Sequence, residues 1–224
     1  MTAILSGGQY KPLSPAGVKE IHDTSLRLLE KVGIEVNCKE ALEIFKEKGA
    51  EVNFDTHLVK LSRKMVEDAI DTAPSKIILY GREDKHNLVL EGKNVYFGTG
   101  GTVLNVLDWK TNQKRPSTLE DVAQFAKLVD ALDNVHFYLL PLYPTELPKE
   151  TVDVNRFYAG ISNTSKHIMG GIYDKAGLLE TIKMAEEIAG GVDQLRKRPF
   201  ISFITCVMSP LKLENTYTEF LIEI

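Results

Sequence analysis

The sequence predicts an α/β protein in which an N-terminal α+β region, residues 1–116, precedes the first units of a (β/α)8 or TIM barrel, residues 117–224. Three observations carry this. From Ser117 onward, apolar strand-like runs alternate with helical patterns in the order βαβαβα. From Lys76 to Asp108 the apolar period is two, as in short paired strands. Before Lys76 the pattern is mainly helical, with recognisable caps.

Ser14-Pro15 supplies an N-cap and first-turn proline, and Val18, Ile21, Ser25, Leu28 and Val32 follow at helical spacing until Gly33. A shorter helix fits Lys39 to Lys48. Alternation around Phe54-Asp55-Thr56-His57 predicts a small hairpin between Glu51 and Leu61, and Ser62 caps a helix that Pro74 ends. Short strands are expected at Ile77–Tyr80, Leu88–Leu90, Val95–Phe97 and Val103–Leu107. Ser117 with Glu120 reads as a capping box for a helix bearing Val122, Phe125, Val129 and Leu132. The three strands beyond it are Val135–Leu140, His167–Gly171 and Phe200–Val207. Their helices run about Lys149–Asn163, Lys175–Ala189 and from Glu214 to Ile224. Strands that are apolar on both faces and separated by helices form parallel sheets with right-handed crossovers. Only three of eight barrel units are expected here. Tyr217, Phe220, Leu221 and Ile224 would then form a helix face with nothing to cover it, and self-association of the chain is expected.

Composition excludes several function classes. A net charge of −4 with 27 basic and 31 acidic residues interspersed offers no basic patch for nucleic acid. The first residues lack the basic and apolar regions of a secretory leader, and no apolar run is long enough to span a membrane, so a cytoplasmic protein is expected. Cys38 and Cys206 belong to no C-x-x-C or Cys/His pattern, which signals neither disulfide nor metal and predicts two buried thiols. The stretch YFGTGGTVLNVLD, Tyr96 to Asp108, looks like a nucleotide loop. It lacks the Gly-Lys-Ser/Thr of a phosphate cradle, and Val103 stands where the third glycine of a dinucleotide fingerprint belongs. Tight turns or close backbone approach is the preferred explanation of its glycines.

Three segments, LSPAGVKEIHDTSLRLLEKVGIEV, YFGTGGTVLNVLDWKTNQKRPSTLEDVAQFAKLVDAL and TSKHIMGGI, occur in an order that resembles the N-terminal half of the MttB-like trimethylamine:corrinoid methyltransferase family. That resemblance implies a (β/α)8 enzyme moving a methyl group from a methylated amine, trimethylamine or a quaternary amine such as glycine betaine, to the cobalt of a separate corrinoid protein. It implies no directly bound cofactor and no metal site in this chain. The position occupied by pyrrolysine in some members, or its replacement, is expected beyond residue 224, so no catalytic residue is assigned. A second reading is a non-catalytic remnant or partner-binding subunit of that family.

Barrel enzymes place chemistry at the C-terminal ends of their strands. Tyr143, Thr145 and Glu146 follow the first strand, Gly170, Gly171 and Tyr173 the second, and Cys206, Met208 and Ser209 the third. A methylammonium is recognised mainly by aromatic faces. Tyr143 and Tyr173 are therefore candidate substrate-binding aromatics, with Glu146 as the balancing carboxylate. His136 and His167 sit at strand beginnings and are expected to serve stability.

Overall fold

The computed structural model describes residues 5–224. Along the chain the elements are β1 (Leu5–Ser6), α1 (Pro15–Lys31), β2 (Ile34–Val36), α2 (Lys39–Glu47), β3 (Glu51–Asn53), β4 (Leu58–Lys60) and α3 (Arg63–Thr72). Then come β5 (Lys76–Leu79), a 3-10 turn at Asp84–His86, β6 (Leu88–Glu91), β7 (Asn94–Val95), β8 (Asn105–Leu107), β9 (Lys114–Pro116) and α4 (Leu119–Ala131). The last stretch holds β10 (Tyr138–Leu139), α5 (Lys149–Asn163), β11 (Ile168–Gly171), α6 (Lys175–Ala189), α7 (Val192–Lys197), β12 (Ile201–Ile204), β13 (Lys212–Leu213) and α8 (Asn215–Glu223). These form two compact units, each discontinuous in sequence.

One unit comprises Gly8–Ser75 and Thr205–Ile224. Its sheet has the order β13-β2-β4-β3, with β13 parallel to β2 and the rest antiparallel. Its core gathers Val36, Leu42 and Val59, joined by Leu213 and Ile222 from the far end of the chain. The last helix therefore differs from expectation: it packs on α2, and Phe220 is buried. Periodicity locates α1 correctly, but Val18, Ile21, Leu28 and Val32 are all exposed, and Leu26 enters the core instead. Gly33 ends that turn at φ +83°, where a Cβ would lie 2.6 Å from the Val59 carbonyl oxygen, so both conformation and space require glycine.

The other unit comprises residues 5–7 and Lys76–Ile204. Its centre is a three-stranded parallel sheet in the order β10-β11-β12, with Tyr138 opposite Ile168 and Gly170 opposite Phe203. On one face α4 and α5 cover the strands, and α6 packs beside α5. Tyr138 crosses to α4 and donates its hydroxyl to the Val122 carbonyl (2.7 Å), while Phe157 of α5 meets Phe203 at 5.4 Å between ring centroids. On the alternate phase, Leu139, Met169, Gly171, Ser202 and Ile204 remain half-buried. The described residues thus make a mixed α/β unit that does not close into a barrel.

Three local details depart from the sequence reading. The capping box of α4 is Thr118 with Asp121, one residue later than expected, because the Ser117 hydroxyl is buried between the Leu104 and Tyr143 carbonyls. Cys38 is buried as expected, but Cys206 is exposed, since the regular strand stops at Ile204. The glycine stretch forms an irregular edge parallel to β10, through bridges Gly98–Phe137 and Val103–Leu142. At Gly98 a Cβ would lie 2.3 Å from the Phe137 ring, which is the close approach the sequence suggests. Gly100 and Gly101 have ordinary φ values and open space around them.

Candidate active site

The C-terminal ends of the parallel strands bring two of the three candidate binding residues together. The rings of Tyr143, after β10, and Tyr173, after β11, meet edge to face with centroids 5.2 Å apart and planes at 72°. Such pairs are favourable because the positive edge of one ring meets the negative face of the other. The Tyr143 amide donates to the Val103 carbonyl (3.0 Å), so the edge beside β10 fixes its backbone. Glu146 is engaged elsewhere: its Oε1 accepts from the Leu119 amide (2.6 Å) at the start of α4, where a helix N-terminus favours an anion. Thr145 is exposed, its amide donating to the Ser117 carbonyl (3.1 Å).

Beneath the tyrosines lies a charged pair that the sequence reading missed. Asp153 and Arg156 stand three residues apart on α5 and are 1% and 0% exposed. The Arg156 guanidinium carbon lies 5.2 Å from the Tyr173 ring centroid, within cation–π range. Its Nε donates to the Leu142 carbonyl (2.9 Å) and its Nη2 to the Thr102 hydroxyl (3.1 Å) on the glycine stretch. Asp153 Oδ2 accepts from the Tyr173 amide (2.8 Å). The remaining atoms, Asp153 Oδ1 and Arg156 Nη1, lie 3.7 Å apart, and neither makes a hydrogen bond. Burial pushes the Asp153 carboxyl above its usual range, against the opposing pull of the Tyr173 amide and Arg156. The close fit continues at Gly177 of α6, where a Cβ would lie 2.9 Å from the Asp153 side chain.

A signal for this pair exists in the sequence. Asp153, Arg156 and Gly160 recur in phase with the buried face of α5. A charged pair on such a phase is a buried pair, not a solvated one.

The histidines and the third group of candidates are placed differently. His136 Nδ1 accepts from the Phe97 amide (2.9 Å). His167 is buried, its ring nitrogens bonded to the Tyr80 carbonyl (2.9 Å) and the Ser202 hydroxyl (2.8 Å). Burial lowers its pKa to about 4. Both sit at strand beginnings and hold neighbouring segments. Cys206, Met208 and Ser209 lie beyond the parallel sheet, in the segment assigned to the other unit. No three His, Cys, Asp or Glu side chains stand together as a metal-ligand set among the described residues, and none of their helices is long and apolar enough to cross a membrane.

The family model for trimethylamine methyltransferase (MTTB) matches residues 3–224. The chain belongs to that family. Within it, the chain is 39% identical over 203 residues to trimethylamine methyltransferase MttB of Desulfitobacterium hafniense (strain DSM 10664 / DCB-2), an alignment covering 91% of this chain and 41% of that protein. It is 30% identical over 210 residues to glycine betaine methyltransferase of Desulfitobacterium hafniense (strain Y51), covering 92% and 43%. Against trimethylamine methyltransferase MttB1 of Methanosarcina mazei it is 31% identical over 228 residues, covering 98% and 45%. The chain thus spans less than half the length of these relatives.

Proposed function

We propose that this chain is part of a methyltransferase that takes a methyl group from a methylated amine, trimethylamine or a quaternary amine of the glycine betaine kind, and delivers it to a corrinoid carried by a separate protein. The observation that carries the reading is the Tyr143–Tyr173 pair at the C-terminal ends of adjacent parallel strands, in a member of the MTTB family. We read β10, β11 and β12 with α4, α5 and α6 as the first units of a (β/α)8 barrel, and the half-buried phase of Leu139, Met169 and Ser202 as its interior face. The domain division at residues 116 and 117 belongs to the same reading, as does a cytoplasmic location.

Aromatic faces suit a cation that has no N–H to donate, and each contact contributes roughly 0.5–2 kcal/mol. Tyr143 and Tyr173 would hold and orient the ammonium, and Glu146 would contribute negative charge at the rim. A corrinoid supplies cobalt as the methyl acceptor. The corrinoid is assigned to a separate partner protein on the strength of the family resemblance. Gly100 and Gly101, with open space around them beside β10, suit a surface that another protein approaches closely. The residues of this chain bind, orient and exclude water, and small misplacement of reacting atoms costs large factors in rate. Relatives with both substrate names match the chain over nine-tenths of its length, and the proposal covers both substrates.

Calorimetric titration of the chain with glycine betaine and with tetramethylammonium tests the reading. Tyr143→Ala and Tyr173→Ala should each weaken binding by about 2- to 30-fold, the equivalent of one cation–π contact. Binding indifferent to both substitutions would remove the tyrosines from the site.

A further inference from the structure

The tyrosine pair presents an electrostatic conflict. A ring offered to a methylammonium already has a guanidinium against it, with the Arg156 Cζ 5.2 Å from the Tyr173 centroid. Arg156 cannot swing away, because its Nε and Nη2 are tied to the Leu142 carbonyl and the Thr102 hydroxyl and its side chain is wholly buried. An arginine remains charged in proteins. A fixed positive charge behind the ring would repel a second cation in front of it, and the repulsion is strong where water is excluded.

Asp153 is the group that answers this charge. Its carboxylate is 1% exposed, faces the guanidinium at 3.7 Å and holds the Tyr173 amide with its other oxygen. The geometry is poor for a stabilising ion pair, since one atom on each partner lacks a hydrogen bond. Burying such a pair costs more desolvation than a well-made bridge returns. What the arrangement does provide is neutrality behind Tyr173. Asp174 is the other acid felt at Asp153, and its carboxylate is occupied with the Gly177 amide (2.8 Å) at the start of α6.

We propose that Asp153 is a specificity-determining residue, which cancels the Arg156 charge behind Tyr173 so that the Tyr143–Tyr173 pair accepts a cation and not an anion. The proposal rests on the assignment of those tyrosines to the methylammonium site, and it adds the origin of the charge preference. Asp153 touches no reacting atom in this account. It acts through Arg156.

The test is a charge series read with tetramethylammonium, which has neither a titrating proton nor a carboxylate, and with acetate as the opposite probe, both at pH 8 and with folding checked by circular dichroism. Arg156→Met leaves no positive charge behind the ring, the wild type and the double variant Asp153→Asn/Arg156→Met leave no net charge, and Asp153→Asn leaves one positive charge. Tetramethylammonium affinity should be at or above wild type in Arg156→Met, stay within about 3-fold of wild type in the double variant, and fall at least 10-fold in Asp153→Asn. Acetate should follow the reverse order. A double variant as weak as Asp153→Asn, or an Arg156→Met that weakens the cation, would show that the pair only holds the loop and would overturn the proposal. Should Asp153→Asn fail to fold, the affinity kept in Arg156→Met still decides, because a merely structural pair predicts a loss there. Wild-type binding that ignores Tyr173→Ala would instead sink the tyrosine assignment itself, and this inference with it.

Discussion

The two ends of the parallel sheet are built to different standards. At the N-terminal ends of the strands, buried polar groups have their partners. Lys166, 4% exposed, donates from Nζ to the carbonyls of Val129 (2.6 Å), Leu132 (2.8 Å) and Val135 (2.7 Å), closing the C-terminus of α4 with a positive charge where the helix dipole favours one. Arg82 does the same for α5 through the Ile161 and Thr164 carbonyls (2.6 and 2.9 Å). Asp130 accepts from the Thr164 hydroxyl and the Ser165 amide, and His167 bonds through both ring nitrogens. At the C-terminal ends, Asp153 Oδ1 and Arg156 Nη1 are buried without a hydrogen bond, and a Cβ on Gly100 or Gly101, beside β10, would meet nothing within 4 Å. A well-satisfied end serves the fold. The other end holds buried charge that is only partly hydrogen-bonded, and it is there that the proposed site is argued.

The comparison is broken most directly at Lys166. Lys166→Met leaves three carbonyls at the end of α4 without their donor, and the loss should be about 3–5 kcal/mol by urea denaturation. A loss below about 1 kcal/mol would mean that the N-terminal end does not carry the stability assigned to it.

Acid provides the next test. Burial depresses the folded-state pKa of His167 from 6.5 to about 4. Between those values the unfolded chain binds a proton that the folded chain does not, so stability falls as pH drops from 6.5 toward 4 and is fully present above 6.5. The contribution reaches up to about 3 kcal/mol. His167→Gln should flatten that slope in a melting series across pH 4–7, and an unchanged slope would place the acid sensitivity elsewhere.

The smallest effect is expected at the opposite end. Gly101→Ala adds a Cβ into open space at an ordinary φ, so stability should change by no more than about 0.5 kcal/mol. A larger loss in the isolated chain would show that the glycine serves its own unit, and would weaken its assignment to an approached surface.

Much of this was legible in the sequence, because caps and periods are local. Ser14 and Ser62 each accept a hydrogen bond from a first-turn amide, as their positions before apolar helical patterns suggest. The order of β10, β11 and β12 with their helices follows from apolar runs separated by helical ones. Non-local matters were hidden. Nothing in the spacing of Tyr96 to Leu104 announces that it lies along β10, since an irregular edge held by two bridges has no period. That Glu146 accepts from the Leu119 amide, far from it in sequence, could not be read from spacing. Asp153 and Arg156 were overlooked because an i, i+3 pair of opposite charges usually decorates a solvated face. The exposed stripe of α1 shows the converse, that a period identifies a helix without saying which side the core takes.

The return of the chain's last segment to its first unit has a consequence for biosynthesis. β2 gains its parallel neighbour β13, with Glu35 opposite Lys212, only after residues 76–204 have been made. Until then one edge of β2 is unpaired, and α2 lacks the cover that α8 provides. Contacts between such distant segments close slowly, because a long loop must be ordered first. The unit that holds the first helices therefore waits for Lys212 and Leu213, and the nascent chain carries an open β2 edge until they are made.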